Sequence, residues 1–208
     1  MPHFNRKDID QMDYLFRINL INCCSGYKSA NLIGTKSKDG YENIAIFSSI
    51  THIGSSPPML GFFLRPTTVV RNTYDNIKET GYYSINHVHQ NVISDAHHTS
   101  AKYAKEISEF DSTNLKSDYK DGNDIPFLKD APIQILMKLI EEYHIKANDT
   151  ILVIGEIQEL YIKELLLGDD GFINLSKGHV AAVNGLDGYC IPESPIRFEY
   201  QRPKQVLK

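Results

Sequence analysis

Apolar residues gather in short strand-like runs through the first half of the chain, with turn residues between them. Asn31-Leu32-Ile33-Gly34-Thr35 is one such run. Lys38-Asp39-Gly40 closes it, because Asp-Gly tolerates the positive φ of a tight hairpin turn. Asn43-Ile44-Ala45-Ile46-Phe47-Ser48 follows as a strand too apolar to keep one face in water, and Met59-Leu60-Gly61-Phe62-Phe63-Leu64-Arg65 is another. Arg17-Ile18-Asn19-Leu20-Ile21-Asn22 alternates imperfectly and predicts an earlier strand. Ahead of it, residues 1–16 are polar with scattered aromatics, which predicts a leading arm or a short helix. Short strands spaced by turns point to a barrel or a sandwich.

Helical spacing enters at residues 71–81. Asn72 or Thr73 can serve as N-cap, Asp75 lies early, Gly81 is a stop, and Tyr74 and Ile77 make one narrow apolar face. Residues 82–88 predict a strand, and Val92, Ile93, Ala96, Thr99 and Tyr103 recur at helical spacing within residues 91–105. Residues 106–130 are too rich in Asp, Ser, Gly and Lys to be core, so they predict a lid or a surface loop. Strand patterning resumes over 133–145 and 151–157, with Asn148-Asp149 as the turn between them. Residues 162–167 suit a strand or a short helix, and Gly168-Asp169-Asp170-Gly171 is a turn. The tail from Gly178 to Lys208 mixes Gly, Pro and isolated aromatics and ends basic. With no repeat and no linker, residues 1–208 read as a single domain with a polar excursion around 106–130.

Composition narrows the function classes. The 208 residues are 41% hydrophobic and 23% charged, enough for a sizeable core. A net charge of −4 leaves no basic excess to neutralise phosphates, which argues against nucleic acid as a partner. The three cysteines are odd in number and two are adjacent, so they make no disulfide framework and suit a reduced cytoplasmic setting. Cys23-Cys24 sits in a strand-like context without a positive neighbour, which predicts buried, inert thiols. No basic start leads into an apolar run, so no signal peptide is expected, and no stretch approaches the ~20 apolar residues of a membrane helix.

Candidate chemistry gathers in residues 48–58. Ser48, Ser49, Thr51, Ser55 and Ser56 crowd together before Pro57-Pro58, which is expected to end regular pairing. Hydroxyls this dense at a strand end suit a phosphate or a ribityl chain, though an ordinary polar turn remains open. Arg71-Asn72-Thr73 at a helix start favours an anion, against the alternative of a capped surface helix with a solvated arginine. His87 and His89 would share a strand face and His97-His98 follow, but no Cys or Glu stands at a ligand spacing, so no metal site is expected. Gly-x-Ser-x-Gly, Gly-x-Gly-x-x-Gly and Gly-x-x-x-x-Gly-Lys-Ser/Thr are all absent. A phosphate site must then be built from hydroxyls, Arg71 and a helix start, with the segment between Pro57 and Pro66 crossing the barrel to bring them close.

Three of these blocks carry a resemblance. Residues 43–52 followed by Pro57-Pro58, then Arg71-Asn72-Thr73-Tyr74-Asp75-Asn76-Ile77, then Gly81-Tyr82-Tyr83-Ser84-Ile85-Asn86, resemble in order and spacing the flavin reductase-like FMN-binding split-barrel family. Residues 96–102, Ser108-Glu109-Phe110 and residues 184–189 are similar to the flavoredoxin-type branch, and the resemblance covers about residues 15–195. It implies a mainly β fold with a few helices, a six-stranded antiparallel Greek-key split barrel that forms a homodimer with FMN near each interface. Carried onto this chain, it implies Ser48, Ser49 and Thr51 on the ribityl and phosphate oxygens, and Arg71 and Thr73 completing the phosphate site. The strand from Asn43 through Ala45 to Phe47 would line the isoalloxazine, and Asn86 and His97 would close it from the side. The implied activity is an oxidoreductase passing electrons from NADH or NADPH through FMN to an unknown acceptor, with no catalytic side chain required. A flavoredoxin-type electron carrier, a barrel that has lost flavin, and a pyridoxamine phosphate oxidase relative are the alternatives.

Overall fold

A computed structural model of the chain describes residues 1–120 and 122–203. Helix α1, Arg6–Gln11, is held by a capping box in which Asn5 and Asp8 satisfy each other's backbone N–H groups. Helix α2, Tyr14–Cys24, replaces the strand expected over residues 17–22. Asp13 explains the difference: its carboxylate accepts from the N–H groups of Leu15 and Phe16 and closes a helical first turn. No residue of α2 is buried. Cys23 and Cys24 therefore end a helix as exposed thiols, where buried strand positions were expected.

Strand β1, Lys28–Ser29, precedes β2, Asn31–Lys36, and a turn with Gly40 at φ 93° returns the chain as β3, Glu42–Phe47. Strands β4, Thr51–Ser55, and β5, Pro58–Leu64, form a second hairpin with Ser55 opposite Pro58. The two prolines thus sit at a hairpin tip and do not end the pairing, and Thr51 lies within a strand. Helix α3, Asn72–Thr80, stops at Gly81 with φ 77°, and β6, Tyr82–His87, follows.

The helical spacing after residue 90 yields only a 3₁₀ turn, Gln90–Val92, and the short α4, Ile93–His98. Within the polar excursion lie α5, Glu109–Ser112, and the two-residue strands β7, Ser117–Asp118, and β8, Phe127–Leu128. This segment is more than surface. Phe110, Leu115, Ile125, Phe127 and Leu128 are buried, because apolar residues sparse along the chain converge in space. Strands β9, Ile133–Ile145, and β10, Thr150–Ile162, make a long hairpin, and Glu164–Leu166 is a 3₁₀ turn. Strands β11, Ala182–Asn184, and β12, Gly188–Cys190, form a three-stranded sheet with β1. Residues 191–203 run outside any regular element, and the basic end of the tail, residues 204–208, lies outside the described residues.

The main sheet is antiparallel, in the order β3-β2-β6-β9-β10-β5-β4. It has seven strands where six were expected, and its edges β3 and β4 are not hydrogen-bonded to each other, so the barrel is open. The sheet nevertheless curls on itself. Phe47 of β3 meets Phe62 of β5 edge to face, with ring centroids 5.1 Å apart, although β2, β6, β9 and β10 separate their strands in the sheet. Inside the curl pack Ile33, Phe62, Tyr83, Met137 and Val153. Leu32, Ile44, Val88, Ala96 and Phe110 form a second core on the outer face of β2 and β3. Both faces of β2 are therefore covered, and its side chains are buried at successive positions. Among the described residues, no helix is long and apolar enough to cross a membrane.

Candidate functional site

Helix α3 begins without a side-chain cap. Its N-cap is Arg71, not Asn72 or Thr73 as the residue types suggested, and no side chain accepts from its first N–H groups. Thr73 is turned inward and buried, where its hydroxyl accepts from Asn43 Nδ2 at 3.0 Å. An uncapped helix start leaves N–H donors and positive dipole exposed to an anion. Arg71 adds to this, since its Nε is buried and has no hydrogen-bond partner.

A buried polar cluster anchors the helix. Asn43 and Asn76 both donate to the Thr35 hydroxyl, at 3.4 and 3.1 Å, which ties α3 to β2 and β3. At the far end, Glu79 accepts the Lys38 N–H at 3.2 Å, beside the β2–β3 turn. With Glu79 at that turn, Asn76 at Thr35 and Thr73 at Asn43, α3 packs across the β2–β3 hairpin with its N-terminal end at Asn43.

Strand register settles which groups of β3 face where. Asn43, Ala45 and Phe47 stand opposite Thr35, Ile33 and Asn31 and share the inward face. The Ile44 N–H points away from β2 and is accepted by Glu109 Oε2 at 3.0 Å. By the two-residue repeat, the Ile46 N–H and C=O also point outward from this sheet edge. Glu109 is 4% exposed, and burial holds its carboxyl above the usual carboxylate range. The sequence reading missed this role, as nothing local marks Glu109 as buried; only its place within Ser108-Glu109-Phe110 singled it out.

The other expected residues separate into two groups. The Ser49 hydroxyl donates to the Phe63 carbonyl and accepts the Phe63 N–H, so it bridges the strand end to β5. Ser48 is half-buried on the same strand end, and Thr51 lies opposite Gly61 on the outermost strand. Asn86, by contrast, is fully buried and has its amide engaged. It donates to the Leu32 carbonyl and the Ser84 hydroxyl and accepts the Leu128 N–H. His97 projects from α4 to the Tyr189 hydroxyl at 3.1 Å, with the two rings edge to face. Both α4 and α5 pack on β3, so the outer layer borders the strand that the site would use.

A concavity of about 500 Å³ lies beside His97, between Ser94 and Asn114, and another of about 730 Å³ lies at the C-terminal end of α3 around Lys38, Tyr82 and Leu136. Neither is lined by Ser48, Ser49 or Arg71. Among the described residues no group of three or more His, Cys, Asp or Glu is placed to hold a metal.

Comparison with known proteins covers most of the chain. The family model described as the flavin reductase like domain matches residues 26–176. A candidate flavin reductase with a split barrel domain from Shewanella frigidimarina NCIMB 400 is 40% identical, with a TM-score of 0.93 over 97% of this chain and 100% of its own. Nitrilotriacetate monooxygenase component B from Bacillus cereus shares the fold at 17% identity and a TM-score of 0.81, covering 95% of this chain and 98% of its own. Flavoredoxin of Desulfovibrio vulgaris (Miyazaki F) shares it at 24% identity and a TM-score of 0.68, covering 85% and 91%.

Proposed function

The chain belongs to the flavin reductase-like domain family, and on that footing we propose that it binds FMN and passes electrons from NADH or NADPH through it to an acceptor. The observation that carries the FMN assignment is Arg71. Its Nε is buried without an acceptor at the N-cap of an otherwise uncapped helix. An unsatisfied buried donor costs about 1–3 kcal/mol. A phosphate monoester supplies acceptors for that nitrogen and for the free N–H groups of α3 together.

Bound flavin supplies the redox chemistry, taking two electrons from a nicotinamide and releasing them to an acceptor. The chain's own residues bind and orient. Arg71 and the start of α3 hold the phosphate. Thr73 accepts from Asn43 and keeps its own proton free to donate to it. Ser48 and Thr51 offer hydroxyls to a ribityl chain. Along the β3 edge, the outward N–H and C=O of Ile46 complement a ring edge carrying donors and acceptors, with Asn43, Ala45 and Phe47 on the strand's inward face. Ser49 frames the site through Phe63, Asn86 holds the layer behind it, and His97 with Tyr189 bounds it beyond α4. The same proposal includes a homodimer with one flavin near each subunit interface.

Titration with FMN tests the assignment. Arg71→Ala removes a charge-assisted contact, so affinity should fall roughly tenfold to a hundredfold. Unchanged affinity would overturn the phosphate placement. Oxidation of NADH and NADPH with free flavin or a ferric complex as acceptor tests the reductase reading; a protein that holds flavin but shows no such turnover is an electron carrier.

A further inference from the structure

Residues 191–203 leave the three-stranded sheet as an arm, and the arm is fastened along one side only. Ser176 donates to the Glu193 carbonyl at 2.7 Å. Arg197 pairs with Asp170 at 2.6 Å and lies over the Phe172 ring at 4.2 Å. Between and beyond these fastenings, Ile196, Phe198 and Tyr200 are 82%, 84% and 91% exposed. Ile196-Arg197-Phe198-Glu199-Tyr200-Gln201 alternates as a strand with one covered face does, yet among the described residues nothing covers that face. The N-terminal region has the same character. Helix α2 buries no residue, and Tyr14, Leu15, Phe16 and Ile21 are all exposed.

We propose that the arm is exchanged between two copies of this chain, with Ile196, Phe198 and Tyr200 of each copy packed against the other and α2 forming part of the same interface. This rests on the homodimer reading above and names the segments that make it. Size supports a second copy. Seven large apolar side chains at roughly 150 Å² each give about 1,000 Å² per copy, more than the ~800 Å² per partner of a stable interface. Placement supports it as well. The arm starts directly after β12, and Lys28 Nζ ties the end of α2 to the β11–β12 turn by donating to the Asn22 and Gly185 carbonyls at 3.1 and 2.9 Å. Both apolar segments thus spring from one sheet, and a two-fold axis beside it covers both at once, since each patch meets the other copy's.

The chain contains no tryptophan, so Phe198→Trp installs a single fluorescent probe in the arm of the full-length protein. Emission from the introduced indole should shift to the blue and become shielded from a soluble quencher over the concentration range in which sedimentation shows dimers forming. Phe198→Asp should weaken self-association roughly a hundredfold or more, while circular dichroism stays that of the folded parent. A dimer in which the indole stays open to quencher and Phe198→Asp has no effect would overturn the exchange and leave the homodimer standing. Shielding that persists in isolated monomers would also overturn it, by showing the arm folded on its own chain. A parent protein monomeric at every concentration would remove both readings, and FMN titration of the same samples is independent of either.

Discussion

The Ser49 hydroxyl brackets the backbone of Phe63, donating to its carbonyl at 3.0 Å and accepting its N–H at 3.1 Å. Strand β4 pairs with β5 only as far as Thr51 opposite Gly61, and Ser49 and Phe63 occupy the next place in that register. A side chain therefore continues the ladder where the backbone leaves it. Ser49→Ala removes both bonds, and the flavin-free protein should lose about 1–2 kcal/mol of unfolding free energy in urea. Ser48→Ala should leave that value unchanged. Equal losses from the two variants would show that the bracket carries no stability.

Gly155 and Tyr83 set a second expectation. A Cβ at Gly155 would lie 2.3 Å from Tyr83 Oη, and that hydroxyl is buried with no hydrogen-bond partner. Gly155→Ala should cost about 1–3 kcal/mol through overpacking. Tyr83→Phe alone should be close to neutral, because it removes an unpaired buried hydroxyl. The double variant should recover most of the loss in thermal unfolding, and strict additivity would show that the two positions do not meet.

Two buried groups should make stability depend on pH in opposite senses. Burial lowers His87 from 6.5 to about 4, and its Nδ1 is enclosed without a partner. Between those values the unfolded chain binds a proton that the native one refuses, so stability is lost as pH falls from 6.5 toward 4. Glu109 acts in the opposite sense. Burial raises it, so the native carboxyl keeps a proton that the unfolded one releases, and stability is lost as pH rises through its raised value. His87→Gln should flatten the first slope. Glu109→Gln, which still accepts the Ile44 N–H, should flatten the second. Unfolding free energies measured across pH check both, and parent-like slopes in the variants would remove the assignments.

Local chemistry made much of this protein legible from its sequence. The strand-like apolar runs over 31–35 and 43–48, the Asp-Gly turn before β3, and the stop at Gly81 each depend on a few neighbouring residues, and each stands in the structure. Helix α2 was misread because its apolar residues lie all round it, and the deciding Asp13 cap sits just outside the alternating run. The sequence by itself also determined the stock of hydroxyls in residues 48–58 and the arginine that leads α3. Only the tertiary structure decided their engagements. Ser49 turns to a residue 14 positions away, Thr73 to one 30 away, and Glu109 caps a strand edge 65 positions away. Whether a polar side chain is available to a ligand depends on the donors and acceptors that folding brings beside it, and those partners lie beyond the reach of any local pattern.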